Sequence, residues 1–260
     1  KKSKGIYLFR FDADDFFLND RIDKQLKYIS EKGLYSVCFS SVKYKNNKKY
    51  KKDKYFNSDI SLFEFKFHNP VIHPTVVFLK NMLNGYKYSE LNEHTLFEDY
   101  ELFHRMRSDG IKFFKERESL LIYNLINKKN EELDKRLNLF KYKINKDNKL
   151  FFFKKIIFRA IQKLNLSYLF KFFSKKNESK INYTKDKISI IIPTYNSSKT
   201  IERALKSVLS QEYQNFEILI IDDGSNDNTL RLLKKFKNEK LKVFKFYNSK
   251  CPGFLRNMMI

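Results

Sequence analysis

Three carboxylates follow a short apolar run near the start of the chain, in the sequence YLFRFDADD. Asp12, Asp14 and Asp15 are expected at the end of a strand, where they concentrate negative charge. Carboxylate oxygens of this kind suit Mg²⁺ or Mn²⁺, which keep coordination positions open for substrate phosphates. A solvated acidic turn has the same composition, so the run alone favours neither interpretation.

A second polar group lies near the other end of the chain, in the sequences PTYN and DDGS. Asp222 and Asp223 end an apolar run, and Tyr195 follows Pro193 at the end of the preceding one. A carboxylate there can accept a hydrogen bond from a nucleobase imide, and the tyrosine ring can stack on the base. Because loop tyrosines more often pack against their own protein, this signal is weak on its own.

A third group combines Glu98 and Asp99 at the start of a predicted amphipathic helix. Acids in a first helical turn usually complement the helix dipole. The alternative is that one of them is a general base. His73, in HPT, and Arg256, in RN, are either structural or phosphate-facing, and their local context does not distinguish these roles.

Strand and helix patterns alternate in the last third of the chain. Short β-branched runs predict buried strands, and apolar residues at helical spacing predict helices, one of them capped by Asp227 or Asn228. Such alternation indicates a parallel sheet with ligands at the carboxyl ends of its strands. In order, the segments are KISIIIPTYN, TIERALKSVLSQ, NFEILIIDDGSND, DNTLRLLKKFKNEK and KVFKFYN.

The first part of the chain also contains strand and helix patterns. It begins with a strand leading into the three carboxylates, followed by a helix closed by Gly33 and another strand. A loop, a turn, a helix and an edge strand complete it. These six segments after the first strand are DRIDKQLKYISEKG, YSVCFSSVKY, NPVIHPTVVFLKNML, Gly85–Tyr86, LFEDYELFHRMRSDG and FKERESLLIYN.

The chain is strongly basic. Its 260 residues include 53 lysines and arginines against 30 acids, a formal charge of +23, which favours anionic partners such as nucleic acid, membrane or phosphorylated ligands. Lys, Asn, Phe and Ile are abundant throughout, as AT-rich coding would produce. We therefore discount the charge as evidence for nucleic-acid binding and expect no nucleic-acid partner.

The expected location is cytoplasmic. Cys38 and Cys251 lie far apart without metal-ligand spacing, which favours free thiols in a reducing compartment. No apolar run approaches the roughly 18–20 residues that span a bilayer, and no signal peptide opens the sequence.

A basic segment, residues 136–186, separates the two parts. Its predicted helix places Lys155, Arg159 and Lys163 on one face and apolar residues on another. Residues 150–173 could bind the inner face of the cytoplasmic membrane as a basic amphipathic helix. A linker helix packed on its own domain has the same pattern, and the two interpretations are equally good.

Together these motifs resemble the family 2 glycosyltransferases with the GT-A fold. KISIIIPTYNSSKTIERALKSVLSQEYQNFEILIIDDGSNDNT looks like the opening of that family, and CPGFLRN is similar to its next motif. YLFRFDADDFFLNDRI resembles its DXD strand, NPVIHPTVVF its acceptor-side segment and FEDYELFHRM its catalytic-base helix. The resemblance implies an α/β, Rossmann-like nucleotide-diphospho-sugar transferase fold, a mostly parallel sheet flanked by helices.

The resemblance also implies roles for the polar residues. The nucleotide sugar, most simply a UDP-sugar, would be bound by Pro193, Tyr195, Asp222, Asp223 and Arg256. Asp14, with Asp12 or Asp15, would hold Mn²⁺ or Mg²⁺ against the diphosphate, and His73 would lie on the acceptor side. Asp99, or its neighbour Glu98, would be the base of a single inverting displacement. The acceptor would be a glycan or a lipid-linked sugar of surface polysaccharide or lipooligosaccharide synthesis.

The order of the two halves departs from the family. Residues 1–135 hold the metal and acceptor motifs, which in the family follow the nucleotide motifs found here in 187–260. We expect either a fragment of a tandem glycosyltransferase or a circular permutant. Two further hypotheses are a catalytically inert fragment and a basic nucleic-acid-binding module, the latter predicting salt-sensitive binding to oligonucleotides.

Overall fold

The computed structural model describes residues 2–33, 35–46, 49–52, 59–65, 68–91, 97–124, 186–247, 249 and 251–260. The basic helix predicted within 136–186 lies outside these residues. No helix in the described part of the chain has both the length and the apolar composition to cross a bilayer.

The elements alternate between strands and helices through most of the chain. The strands are β1 (Tyr7–Arg10), β2 (Phe16–Phe17), β3 (Ser36–Asn46), β4 (Lys49–Lys52), β5 (Val77–Leu79), β6 (Lys112–Asn124), β7 (Ile188–Thr194), β8 (Phe216–Asp222) and β9 (Leu241–Lys245). The α-helices are α1 (Arg21–Lys32), α2 (Leu62–Phe65), α3 (Glu98–Ser108), α4 (Ile201–Leu209), α5 (Thr229–Lys235) and α6 (Pro252–Met259), and 3₁₀ turns span His73–Thr75 and Lys80–Asn84.

The nine strands in the described part of the chain belong to one sheet, in the order β2-β6-β3-β5-β1-β7-β8-β9, with β4 paired to β3. Strands β1, β7, β8 and β9 are mutually parallel, and β3 is parallel to β6. Strand β5 is antiparallel to both of its neighbours, so the sheet is mixed. This α/β arrangement agrees with the expected GT-A fold, although less of the sheet is parallel than the sequence predicts.

Two local predictions are wrong. The segment NPVIHPTVVFLKNML, predicted as a loop, contains the buried strand β5, which pairs with β1 and β3. The strand FKERESLLIYN is not the edge of the sheet, because the two-residue strand β2 pairs with its outer side. Both errors concern pairing between distant segments, which local periodicity does not reveal.

Strands β1 and β7 join the two halves of the chain. Their register runs from Tyr7 opposite Ile188 to Arg10 opposite Ile191, and every residue of β1 is buried. Beyond the strand, the N–H of Phe11 donates to the carbonyl of Ile191 at 3.2 Å. Because the two strands are parallel, the residues that follow β1 and those that follow β7 reach the same edge of the sheet.

A buried glutamine makes a second contact between the halves. Gln211, after α4, is 1% exposed. Its side-chain N–H donates to the carbonyl of Leu18 at 2.7 Å, and its side-chain oxygen accepts from the N–H of Ile22 at 3.2 Å. The N–H of Glu212 donates to the carbonyl of Asn19 at 2.9 Å. These bonds hold α4 against the start of α1.

Helix α6 makes the third contact, against residues 88–90. Asn257 accepts a hydrogen bond from the N–H of Tyr88 at 2.9 Å and donates to its carbonyl at 2.9 Å. A Cβ at Gly253 would lie only 2.4 Å from the carbonyl oxygen of Ser89. The close approach of the helix to this backbone therefore requires glycine.

Replacing Gly253 with alanine should destabilise the fold by about 1–3 kcal/mol, because the methyl group must push the helix away from Ser89. Gly85→Ala is the matched control, since nothing lies within 4 Å of its Cβ position and its φ is −93°. That variant should be neutral or more stable by about 0.4–1 kcal/mol. Urea unfolding measures both, and equal stabilities would contradict the tight packing of α6.

Candidate active site

A cavity of about 420 Å³ lies at the edge of the sheet where β1 ends. Its walls come from both halves of the chain. The first half supplies Asp12, Tyr44, Val71, Ile72, His73, Pro74, Glu98, Asp99 and Tyr123, and helix α6 supplies Arg256. Five residues singled out in the sequence therefore share one cavity.

Asp12 and Asp14 form the acidic side of this region. Asp12 is paired with the buried guanidinium of Arg10. Burial raises the pKa of Asp14, and the charge of Asp12 raises it further, which shows that the two carboxylates are close. The carbonyl of Asp14 accepts a hydrogen bond from Arg203 of α4 at 2.6 Å. Two neighbouring carboxylates fit a divalent cation that is completed by substrate phosphates.

Asp15 has a different environment. It is 2% exposed and lies near Arg21, which is fully buried, with its guanidinium 4.0 Å from the centre of the Phe11 ring. Burial lowers the pKa of Arg21 to about 9, and the charge of Asp15 acts in the opposite direction. No group of three His, Cys, Asp or Glu side chains in the described residues is arranged to hold a metal. Asp12 lines the cavity and Asp15 is buried, and the metal-binding role of these acids stays a prediction.

Two tyrosines that no sequence motif indicates, Tyr44 and Tyr123, line the cavity. Tyr44 and Tyr123 face each other across β3 and β6, with ring centres 5.9 Å apart in an edge-on arrangement. Burial raises the pKa of Tyr123, and the charges of Asp12, Asp15 and Asp14 raise it further. The hydroxyl of Tyr123 therefore lies near these three carboxylates. Both tyrosines lie near the carboxyl ends of parallel strands, where ligands bind, and this position could have predicted them as site residues.

Asp99 lies in the first turn of α3 with its side chain 20% exposed. Burial raises its pKa to about 6, the charge of Glu98 contributes in the same direction, and Arg256 opposes them. Its Oδ2 accepts a hydrogen bond from Nδ2 of Asn69 at 3.1 Å and lies 3.9 Å from Nδ1 of His73. A carboxylate with this pKa is ionised at neutral pH yet basic enough to take up a proton.

Glu98 and Arg256 form an ion pair that joins α3 to α6. Their side chains are 6% and 11% exposed, and the Arg256 guanidinium lies 5.2 Å from the centre of the Tyr88 ring. Because Glu98 is already paired with a cation, Asp99 is the better candidate for the base. The role of Arg256 beside the nucleotide stays a prediction.

The surroundings of His73 favour its neutral form. Burial lowers its pKa well below 6.5, and the charges of Arg256 and Arg10 lower it further. Its Nε2 shares a hydrogen bond with the hydroxyl of Tyr88 at 2.9 Å. The predicted acceptor-side role stays a prediction, but the ring does line the cavity.

The predicted nucleotide residues lie in two adjoining loops, after β7 and β8. The N–H of Asp223 donates to the carbonyl of Thr194 at 3.0 Å, which connects the loops. Tyr195 is 52% exposed, and Asn196, at a φ of 46°, turns the chain sharply behind it. This geometry presents the Tyr195 ring to solvent, where a base could stack on it.

The two acids of the second loop differ in their surroundings. Asp222 is fully buried, and its carboxylate accepts hydrogen bonds from both the N–H and the hydroxyl of Ser225. Asp223 is partly buried and accepts from the N–H of Ser249 at 2.7 Å. Asp222 therefore shapes the loop, whereas Asp223 connects it to the segment that leads into α6. Their roles in binding the nucleotide sugar, and that of Pro193, stay predictions.

Comparison with known proteins finds a family match in the last part of the chain. Residues 189–259 match the model of Glycosyl transferase family 2. This match confirms the resemblance to family 2 glycosyltransferases for these residues. The first half lies outside the matched residues.

Three curated relatives show the same likeness. The poly(ribitol-phosphate) beta-N-acetylglucosaminyltransferase TarS of Staphylococcus aureus is 41% identical over 78 residues, 28% of this chain and 14% of the relative. Two Escherichia coli enzymes, each a UDP-Glc:alpha-D-GlcNAc-diphosphoundecaprenol beta-1,3-glucosyltransferase, are also similar. WfgD is 39% identical over 70 residues (27% and 28% of the two chains), and WfaP is 42% identical over 66 residues (25% and 26%). The matched part of this chain therefore spans less than a third of each relative.

Removing the cation of the buried ion pair should be costly. Arg256→Met leaves Glu98 charged and unpaired, and we expect a loss of about 3–5 kcal/mol in the free energy of unfolding at pH 7. Lys206→Met is the control, because it removes a cation from the exposed Lys206–Glu202 pair, whose side chains are 69% and 53% exposed. That change should alter stability by less than about 1 kcal/mol. Equal effects in denaturant titrations would rule out a stabilising link between α3 and α6.

Proposed function

We propose that this chain is a glycosyltransferase that moves a sugar from a nucleoside diphosphate, in the first instance UDP, to a hydroxyl group of a glycan or lipid-linked acceptor. The proposal is supported above all by the shared cavity, in which Asp12 and Asp99 of the first half meet Arg256 of the last helix. We assign residues 1–135 to the metal and acceptor half and 187–260 to the nucleotide half of one catalytic domain.

The relatives support the class of substrate. TarS is named for transfer of N-acetylglucosamine to poly(ribitol phosphate). WfgD is named for transfer of glucose from UDP-Glc to a GlcNAc linked to diphosphoundecaprenol. A nucleotide-sugar donor and a cell-surface polymer or its lipid-linked precursor are therefore the substrates to test first, in synthesis of surface polysaccharide.

In the proposed mechanism Asp99 accepts the proton of the acceptor hydroxyl as that oxygen attacks the anomeric carbon. The new glycosidic bond forms on one face of the sugar while the bond to the diphosphate breaks on the other, so the configuration inverts. Asp12 and Asp14 would hold Mn²⁺ or Mg²⁺, which would neutralise charge on the diphosphate. Tyr195 would stack on the base and Asp223 would accept from it.

Two variants should distinguish the binding of UDP from the transfer of sugar. Asp12→Asn should weaken the binding of UDP in the presence of Mn²⁺, measured by isothermal titration, because it removes a ligand of the cation. Asp99→Asn should leave that binding intact and lower the rate of transfer about 10²–10⁴-fold, since the amide cannot take a proton. Asp109→Asn, at the exposed C-terminal end of the same helix, is the charge-matched control.

Two results would contradict this proposal. If UDP fails to bind with or without Mn²⁺, the two halves do not form a donor site and the chain is an inert member of the family. If UDP binds but Asp99→Asn transfers sugar as fast as the unchanged protein, Asp99 is not the base.

The rate of transfer should depend on pH through Asp99. Because burial and the charge of Glu98 raise its pKa to about 6, the protonated, inactive form grows as pH falls through 6, and kcat/KM should fall with it. Glu98→Gln removes the neighbouring negative charge, so the acid limb of the profile should move to lower pH. Measurement of kcat/KM from pH 5 to 8 tests this, and an unmoved limb would contradict the assignment.

A further inference from the structure

We infer that Asn69 and His73 are positioning residues that hold Oδ2 of Asp99, which leaves Oδ1 to take the proton of the acceptor hydroxyl. The inference rests on the proposed transfer reaction, in which Asp99 is the base. Asn69 and His73 both lie in the segment before β5, outside α3 and α6. Both approach the same oxygen of Asp99.

Asn69 is oriented by its own backbone neighbourhood. Its side-chain oxygen accepts a hydrogen bond from the N–H of Val71 at 3.1 Å. The amide nitrogen must then point the other way, where it donates to Oδ2 of Asp99 at 3.1 Å. An amide carries no charge, so it can restrain the carboxylate without forming an ion pair that would weaken the base.

His73 is restrained by the rings that surround it. Tyr88 bonds to Nε2 at 2.9 Å, and the Phe103 ring packs edge-on with a centre-to-centre distance of 5.6 Å. These contacts leave Nδ1 facing Oδ2 of Asp99 at 3.9 Å. That separation is longer than a hydrogen bond, and such contacts in active sites commonly shorten when substrate binds.

The charges around Asp99 explain why a neutral histidine suits this place. Glu98 of α3 and Arg256 of α6 act on the carboxylate in opposite directions, and Tyr88 lies close by. A protonated His73 would add a second cation beside Asp99 and lower its pKa. The neutral ring restrains the carboxylate and leaves its basicity intact.

Two substitutions of His73 separate positioning from simple packing. His73→Asn keeps an N–H group near the position of Nδ1, which faces Asp99. His73→Gln instead places its amide near the position of Nε2, which faces Tyr88. We expect His73→Asn to retain at least about tenfold more kcat than His73→Gln, with the KM for the donor similar in both, because misplacing a catalytic group by about 1 Å can cost about 10²-fold.

Asn69→Leu tests the other contact, because leucine has a similar shape but no donor. We expect kcat to fall about 10–100-fold while the KM for the donor stays unchanged. Asn84→Leu, at an exposed position outside the cavity, is the matched control and should leave kcat unchanged. Should Asn69→Leu fail to fold, Asn69→Asp keeps the acceptor for Val71 and places a negative charge beside Asp99, which should move the acid limb of kcat to higher pH.

A readout that needs no turnover keeps this inference separate from the proposed function. The carboxyl ¹³C signal of Asp99, assigned by its loss in Asp99→Asn, reports the pKa of that group directly. Loss of the Asn69 donor should shift the pKa upward, since a hydrogen bond to the charged form has been removed. An unchanged titration in Asn69→Leu or Asn69→Asp, or equal kcat in the two His73 variants, would overturn the inference. If the pKa of Asp99 shifts upward as expected but the protein has no transferase activity, only the proposed function is overturned.

Discussion

The parallel pairing of β1 with β7 is the constraint on which the rest of the structure depends. It brings together residues that are far apart in the sequence: the N–H of Gly5 donates to the hydroxyl of Ser189, 184 positions away. It also aligns the carboxyl ends of strands from both halves. The closure entropy of so long a loop grows only with the logarithm of its length, so buried strand pairing can offset it. Gln211 and Asn257 then hold the helices of the second half against the first. Without the pairing of β1 with β7, the acids after β1 and the loops after β7 and β8 would not lie at the same edge of the sheet.

Charge pairing divides the carboxylates around the cavity into two groups. Asp12 and Glu98 form ion pairs with the buried arginines Arg10 and Arg256, and the charge of Asp15 acts on the buried Arg21. Asp99 instead receives a hydrogen bond from an uncharged amide, and burial and the charge of Glu98 raise its pKa to about 6. A buried arginine–carboxylate pair is a poor proton acceptor because the ionised form is already stabilised. This difference in pairing favours Asp99 over Glu98 as the proposed base.

The sequence predicts the alternating strands and helices of residues 187–260 well, because each is long enough to show its period. It does not predict β5, whose three residues become a strand only through their neighbours β1 and β3. The acids of the site are visible as motifs, but their separate environments are not, since Asp15 is distinguished by Arg21 and Asp99 by Asn69. Asn69 has no local signal at all. Tyr123 could have been found, because it lies near the carboxyl end of a recognisable strand.

The central claim is that both halves of one chain build one site, and a disulfide tests it without relying on activity. Cys251, just before α6, has its sulfur 3.8 Å from the carbonyl oxygen of Glu90, and Cys38 is buried. Mild oxidation of the Glu90→Cys variant should therefore link the introduced thiol to Cys251 within a single chain, with the fast migration of an internally cross-linked monomer and a linked peptide in the mass spectrum. Replacing Cys251 with serine in the same variant should abolish the link. Free thiols after oxidation, or a disulfide-linked dimer in place of the internal link, would contradict the assembly of the site from one chain.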